Sequence, residues 1–94
     1  MHWTFLSSHG IVLVLIARDT AIRMREIAEK AGITERAVQR IVKDLVSAGY
    51  LTRTRKGRRN VYEVHSELHM RHPTTRHVEV GHLMEVLRSA PPAP

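Results

Sequence analysis

Gly32 and Gly49 bracket the stretch that most limits how this chain can fold. Each glycine closes a helical pattern, and glycine is favoured there because it has no Cβ to oppose left-handed backbone. Before Gly32, the run Arg25 to Ala31 (REIAEKA) puts Ile27, Ala28 and Ala31 on one side. Apolar Ile33 follows, and then Thr34, whose hydroxyl suits the N-cap of a new helix. That helix is expected from Glu35 to about Ala48. At about 100° per residue its faces separate. Ala37, Val38, Ile41, Val42, Leu45 and Ala48 cover one side. Arg36, Gln39, Arg40, Lys43 and Ser47 share the other, with Arg36, Arg40 and Lys43 inside a sector of roughly 60°. The pattern is two helices joined by a three-residue turn, the second of them basic along its outer face.

The charge of the chain is concentrated here. Residues 36–59 hold Arg36, Arg40, Lys43, Arg53, Arg55, Lys56, Arg58 and Arg59 against one acid, Asp44, a balance of +7 where the whole chain is +6. The remainder therefore sums to −1. A charge confined to one stretch marks a surface that meets a polyanion rather than general solubility. Its second half reads as a β-hairpin. Tyr50 to Lys56 alternates Thr and Arg, Gly57-Arg58-Arg59-Asn60 supplies turn residues, and Val61 to His65 alternates again.

The flanks are less decided. Ser7 or Ser8 can cap an amino-terminal helix whose run Ile11 to Ala17 (IVLVLIA) is apolar on every side. Such a segment is either a central helix or strand buried within one chain, or a helix shared with a second subunit. Ala21 to Met24 has the look of a brief strand. Residues 66–77 are irregular and rich in histidine, with Pro73 barring a helix. A last helix from Val78 to Ser89 carries Val80, Leu83, Met84 and Leu87 at helical spacing. The tail Ala90-Pro91-Pro92-Ala93-Pro94 cannot be helical and is expected to fray.

The segments MREIAEKAGITERAVQRIVKDLVSAGYL and TRTRKGRRNVYEV resemble the winged helix-turn-helix of bacterial and archaeal MarR- and ArsR-like regulators. Ala28, Gly32, Ile33, Val38 and Leu45 form the packing skeleton of the likeness, which covers about residues 9–65. It implies a mainly α fold with a small β-hairpin wing, here with an extra C-terminal helix. The chain then divides into residues 1–65 as the winged domain, 66–77 as a His-rich connector, 78–89 as a C-terminal dimerisation helix and 90–94 as a disordered tail. The resemblance implies a transcriptional regulator, a repressor by occlusion, bound to double-stranded DNA. An assembly module on the same fold, or a metal-responsive ArsR-like repressor, are the alternatives.

Groove dimensions agree with that reading, since a major groove about 12 Å wide admits one helix whose amino-terminal residues meet base edges. Thr34, Glu35, Arg36 and Gln39 are then placed for base readout, with Arg36 suited to guanine and Gln39 to adenine. Arg40, Lys43, Arg53, Arg55, Lys56, Arg58 and Arg59 are placed for phosphates and the wing contact. One such helix reads too few base pairs for useful specificity, so a homodimer is expected. Trp3, Phe5, Val12, Leu15, Val80, Leu83, Met84 and Leu87 are its candidate interface. Ninety-four residues bury only roughly 60–65% of their unfolded surface, which also favours a partner subunit. MarR-like dimers are similar in using amino- and carboxy-terminal helices. This chain lacks their long helices, which counts against a large effector pocket, and its effector is unknown.

With no cysteine, disulfides, thiolate metal sites and Cys nucleophiles are excluded. Seven histidines raise the question of metal. His69, His72, His82 and Glu85 are the weak candidates, and His82 and Glu85 at i, i+3 can face one ion. The zinc-sensing ArsR-like pattern is not matched, because Arg71 stands eleven residues before His82. No metal and no cofactor is expected. Ser7, Ser8 and His9 adjoin in sequence, but no Ser/His/carboxylate set or phosphate-cradling loop accompanies them, so no enzyme is expected. The apolar run is too short to span a bilayer and no signal peptide is evident, which predicts a cytoplasmic, nucleoid-associated protein with no membrane contact.

Overall fold

In the computed structural model, residues 3–89 are described. They form α1 (Ser8–Arg18), α2 (Met24–Ala31), α3 (Glu35–Ser47), β1 (Leu51–Lys56), β2 (Arg59–Val64) and α4 (Val80–Ser89). The result is mainly α with a two-stranded antiparallel hairpin, the architecture of a winged helix with an added C-terminal helix. The expected tail 90–94 lies outside the described residues.

Local chemistry fixes the helix ends. Ser7 caps α1, its hydroxyl accepting from the Gly10 N–H at 3.2 Å. Thr34 caps α3 in the same way, accepting from Ala37 N–H at 3.1 Å. Gly32 ends α2 at φ 72 and Gly49 follows α3 at φ 90, both in the left-handed region where a Cβ is strained.

The apolar α1 is the centre of the molecule. It contacts α2, α3, α4 and β2, and Val12 and Ile16 on it are both 0% exposed. Ile27 from α2 with Val38, Ile41 and Val42 from α3 complete the dry interior, and Leu51, Tyr62, Val80 and Met84 extend it. The central-helix reading therefore holds within one chain. Val12, Val80 and Met84, expected at a subunit interface, are buried in the monomer's own core, where α1 meets α4. Leu15, Leu83 and Leu87 are partly buried against the same cluster.

Three other expectations shift. Ala21 to Met24 is not a strand. The Ala21 N–H turns back onto the Asp19 carboxylate at 3.1 Å and the Ile22 N–H onto the Asp19 carbonyl at 3.1 Å, so neither can join a ladder. One bond to β2 remains, from Tyr62 N–H to the Thr20 carbonyl at 2.9 Å. The hairpin turn is shorter than expected, confined to Gly57-Arg58, because Lys56 pairs with Arg59 and Arg55 with Asn60. Gly57 at φ 62, with no other residue of the turn at positive φ, is what a type II′ turn requires.

α4 begins at Val80 rather than Val78. Val78 and Glu79 are held by the connector instead, through Met70 N–H to the Val78 carbonyl at 3.0 Å and a bridge between His69 and Glu79. The connector is tied down elsewhere too. His65 N–H donates to the Tyr50 carbonyl at 2.9 Å, and the Tyr50 hydroxyl to the His69 carbonyl at 2.5 Å. At the far end of α4, Arg18 donates to the Leu87 carbonyl at 3.1 Å and fastens the helix to α1.

The joint between connector and α4 depends on one glycine. A Cβ added at Gly81 would meet the Ser66 Cβ at 2.7 Å and the Ser66 carbonyl oxygen at 2.8 Å. Gly81→Ala should therefore lower stability by about 1–3 kcal/mol through overpacking against backbone. A urea midpoint equal to that of the native protein would contradict this placement of α4.

Candidate nucleic-acid interface

α3 is held by its apolar side. Val38, Ile41, Val42 and Leu45 are buried, and this turns Arg36, Gln39, Arg40 and Lys43 to the exposed side. Thirteen residues give the helix a length of roughly 20 Å. Thr34 and Glu35 stand exposed at its amino end. The Thr34 hydroxyl oxygen is already used in capping, which leaves its hydrogen to donate outward. The one acid of the basic stretch is drawn off the face. Asp44 accepts from His9 Nε2 of α1 at 2.8 Å, an exposed pair worth about 0–1 kcal/mol.

The hairpin carries the other cations, sorted by strand register. Arg53 and Arg55 lie on the face that also holds Leu51, Tyr62 and Asn60, while Thr52, Thr54 and Lys56 share the other with Glu63 and Arg59. Glu63, the acid just beyond the basic block, is thus on the face opposite Arg53 and Arg55. Leu51 and Tyr62 are buried and anchor the base of the hairpin against the helices. Burial pushes the Tyr62 phenol above its ordinary range, with the Arg53 charge and a hydrogen bond from Asn60 acting in the opposite direction.

Two of the arginines make backbone contacts that organise the hairpin. Arg55 Nε donates to the Gly57 carbonyl at 3.1 Å across the turn. An Arg59 terminal nitrogen reaches back to the Ala21 carbonyl at 2.5 Å. Arg59, expected as a free phosphate ligand, is thus also a tether between hairpin and body. Among the described residues, none of the eight cations of residues 36–59 has a carboxylate partner within ion-pair distance; the pairs formed are His9–Asp44, Lys30–Glu26, His65–Glu67 and Arg88–Glu85. The cations lie on one helix face and one hairpin, exposed and uncompensated.

Sequence reasoning left out Arg23. The residue falls outside the dense charge block, in a segment read as a strand, yet it lines a cleft together with Arg58 and Arg59. Only the fold brings them together, because residues 20–24 pack beside β2.

The histidine candidates do not converge. His69 Nδ1 donates to the Arg76 carbonyl at 2.7 Å, His72 Nδ1 accepts from Thr74 N–H at 3.1 Å, and Glu85 accepts from Arg88 at 2.5 Å. Among the described residues, no group of three His, Asp or Glu side chains is placed to hold a metal ion. No described helix is long and apolar enough to cross a membrane.

If Arg59 tethers the hairpin, replacing it should loosen that element without unfolding the core. Arg59→Met is expected to speed amide hydrogen exchange in β1 and β2 about fivefold, the equivalent of one hydrogen bond near 1 kcal/mol. Arg58→Met should leave those rates unchanged; equal acceleration by both would show that the Ala21 contact holds nothing.

Compared with known families, residues 5–59 match the model described as the MarR family. The matched region runs from the amino-terminal arm through α1, α2, α3 and β1 to the start of β2, leaving α4 outside it. No curated protein matches the chain.

Proposed function

The chain belongs to the MarR family and is a winged-helix transcription regulator, and from that premise we propose that it binds duplex DNA sequence-specifically as a homodimer and represses by occlusion. The observation that carries this reading is the set of eight cations, on the outer side of α3 and on the hairpin, that have no carboxylate partner among the described residues. Such a surface is costly in self-repulsion until it meets a polyanion, and duplex DNA supplies phosphates along both edges of a groove that fits α3.

In this arrangement α3 enters the major groove with Arg36 and Gln39 at base edges and Thr34 and Glu35 at its tip. Arg40 and Lys43 flank them at phosphates. Arg53, Arg55, Lys56 and Arg58 lie over the adjacent backbone or minor groove, with Arg59 bracing the wing. Backbone contacts set register, and base contacts set sequence.

A second subunit is supported by the apolar groups the monomer leaves outside. Phe5 is 95% exposed, Trp3 67% and Val86 64%, and the Trp3 and Phe5 rings stack edge to face at 5.2 Å. Leu83 and Leu87, on the same helix as Val86, are half-buried at the edge of the core. With Val12, Val80 and Met84 internal, the interface is assigned to the arm and this outer strip of α4.

Selection from a random duplex library tests the reading, and a palindromic site should emerge. Arg36→Ala or Gln39→Ala should weaken binding to that site by about 1–3 kcal/mol and relax preference at one position per half-site. Enrichment of no sequence, or readout mutants that lose all sequences equally, would contradict the assignment of α3 to base contacts.

Sedimentation tests the assembly separately. The native protein at micromolar concentration should run at about twice the mass of one chain. Phe5→Ser with Val86→Asp, both exposed in the monomer, should shift it to single-chain mass with an unchanged circular dichroism spectrum. A native monomer that still selects a palindrome would overturn the dimer.

A further inference from the structure

A cleft of about 400 Å³ opens between β2 and the segment leading into α2, and Ala21, Arg23, Arg58, Arg59 and Asn60 are among the residues lining it. Three of these side chains are guanidinium groups, and none of the lining residues is a carboxylate. Arg59 is held in place by its bond to the Ala21 carbonyl. Arg23 stands at the N-cap of α2, yet its side chain makes no capping hydrogen bond. Among the described residues, neither Arg23 nor Arg58 forms an ion pair. Of the acids closest in sequence to Arg23, neither lines the cleft: Asp19 accepts from the Ala21 N–H at 3.1 Å and Glu26 faces Lys30 at 3.7 Å.

Three like charges around one cleft repel one another, and a backbone carbonyl offsets only part of that for one of them. The arrangement becomes favourable when an anion enters. Its donors are guanidinium forks, which match phosphate in shape as well as charge. Arg58 also belongs to the wing turn, beside the cations already assigned to the DNA backbone. The anion available at that place is therefore a phosphodiester of the same duplex.

We infer that this cleft grips one backbone phosphate between Arg23 and Arg58, with Arg59 as its fixed wall. The inference rests on the DNA-binding reading above and extends the contact surface to a residue outside the basic block. It joins the wing to the approach of α2 through a shared ligand, so that binding adds to the ladder bond, the arginine tether and the packing of Ile22 and Tyr62 that hold this junction in the free protein. A phosphate contact carries no sequence information. Loss of Arg23 therefore weakens every duplex alike.

Fluorescence anisotropy with the full chain, on the selected site and on a random-sequence duplex, tests this with four variants. Arg23→Gln and Arg58→Gln should each weaken both duplexes by about tenfold, and the double variant by much less than the product, because the two grip one phosphate. Arg25→Gln, which removes an equal charge two residues away and does not line the cleft, should stay within about twofold. Thermal melting of Arg23→Gln should match the native protein, since its side chain caps nothing. If the native chain binds DNA while Arg23→Gln behaves like Arg25→Gln, or while the two losses multiply in full, the shared clamp is wrong and the DNA-binding reading stands. If the native chain binds no duplex, the underlying reading falls and takes the clamp with it.

Discussion

An apolar helix must be covered wherever it carries apolar groups, and α1 carries them on every side. This requirement sets the positions of the other helices. α2 and α3 cover one part of α1 and α4 another. Each fully buried Val, Leu or Ile contributes about 1.5–3 kcal/mol, against a net stability for a domain of this size of only about 5–15 kcal/mol. The orientation of α3 is a by-product of that packing. Val38, Ile41 and Val42 must face α1 and α2, so Arg36, Gln39, Arg40 and Lys43 have to face outward. The outer face of α3 is thus specified by its interior, which leaves these four side chains in solvent.

The second constraint is electrostatic. Three acids are engaged by partners outside the basic face, Asp44 by His9, Glu26 by Lys30 and Glu85 by Arg88, while Glu35 stands at the tip of α3 and Glu63 on the hairpin face away from Arg53 and Arg55. Each of these exposed pairs contributes little to stability. Their consequence is the field they leave, because among the described residues no carboxylate pairs with a cation of the helix face or the hairpin. A surface of one sign destabilises the compact state slightly and favours association with a polyanion. Arg59 links the two roles, since the same residue adds charge to the hairpin and holds it to residue 21.

Features fixed by neighbours in sequence were legible there. Gly32, Thr34 and Gly49 announce their helix ends because a cap is a contact over a few residues, and α3 was bounded within a residue for the same reason. Features fixed by distant residues were not. Ile22 is buried as a strand residue would be, but the Asp19 carboxylate and carbonyl take the N–H groups that a ladder needs. Arg59 and Asn60 read as turn residues by type, and only their pairing with Lys56 and Arg55 on the other strand places them in β2. Val12, Val80 and Met84 looked like surplus apolar area because sequence cannot show that α4 folds back onto α1 of its own chain. Arg23 was hidden for the opposite reason, being one charge in a segment that only tertiary packing brings to the wing.

The central claim is that charge held apart by this packing meets DNA phosphates as a patch. The salt dependence of duplex binding measures that most directly. For a dimer neutralising about 6–10 phosphates, log K should fall against log salt with a slope of roughly −5 to −9. Replacing Arg55, Lys56 and Arg58 by Gln should flatten the slope markedly, and replacing Lys30, Arg71 and Arg76 should barely alter it. A slope near zero, or equal flattening by both sets, would contradict the account.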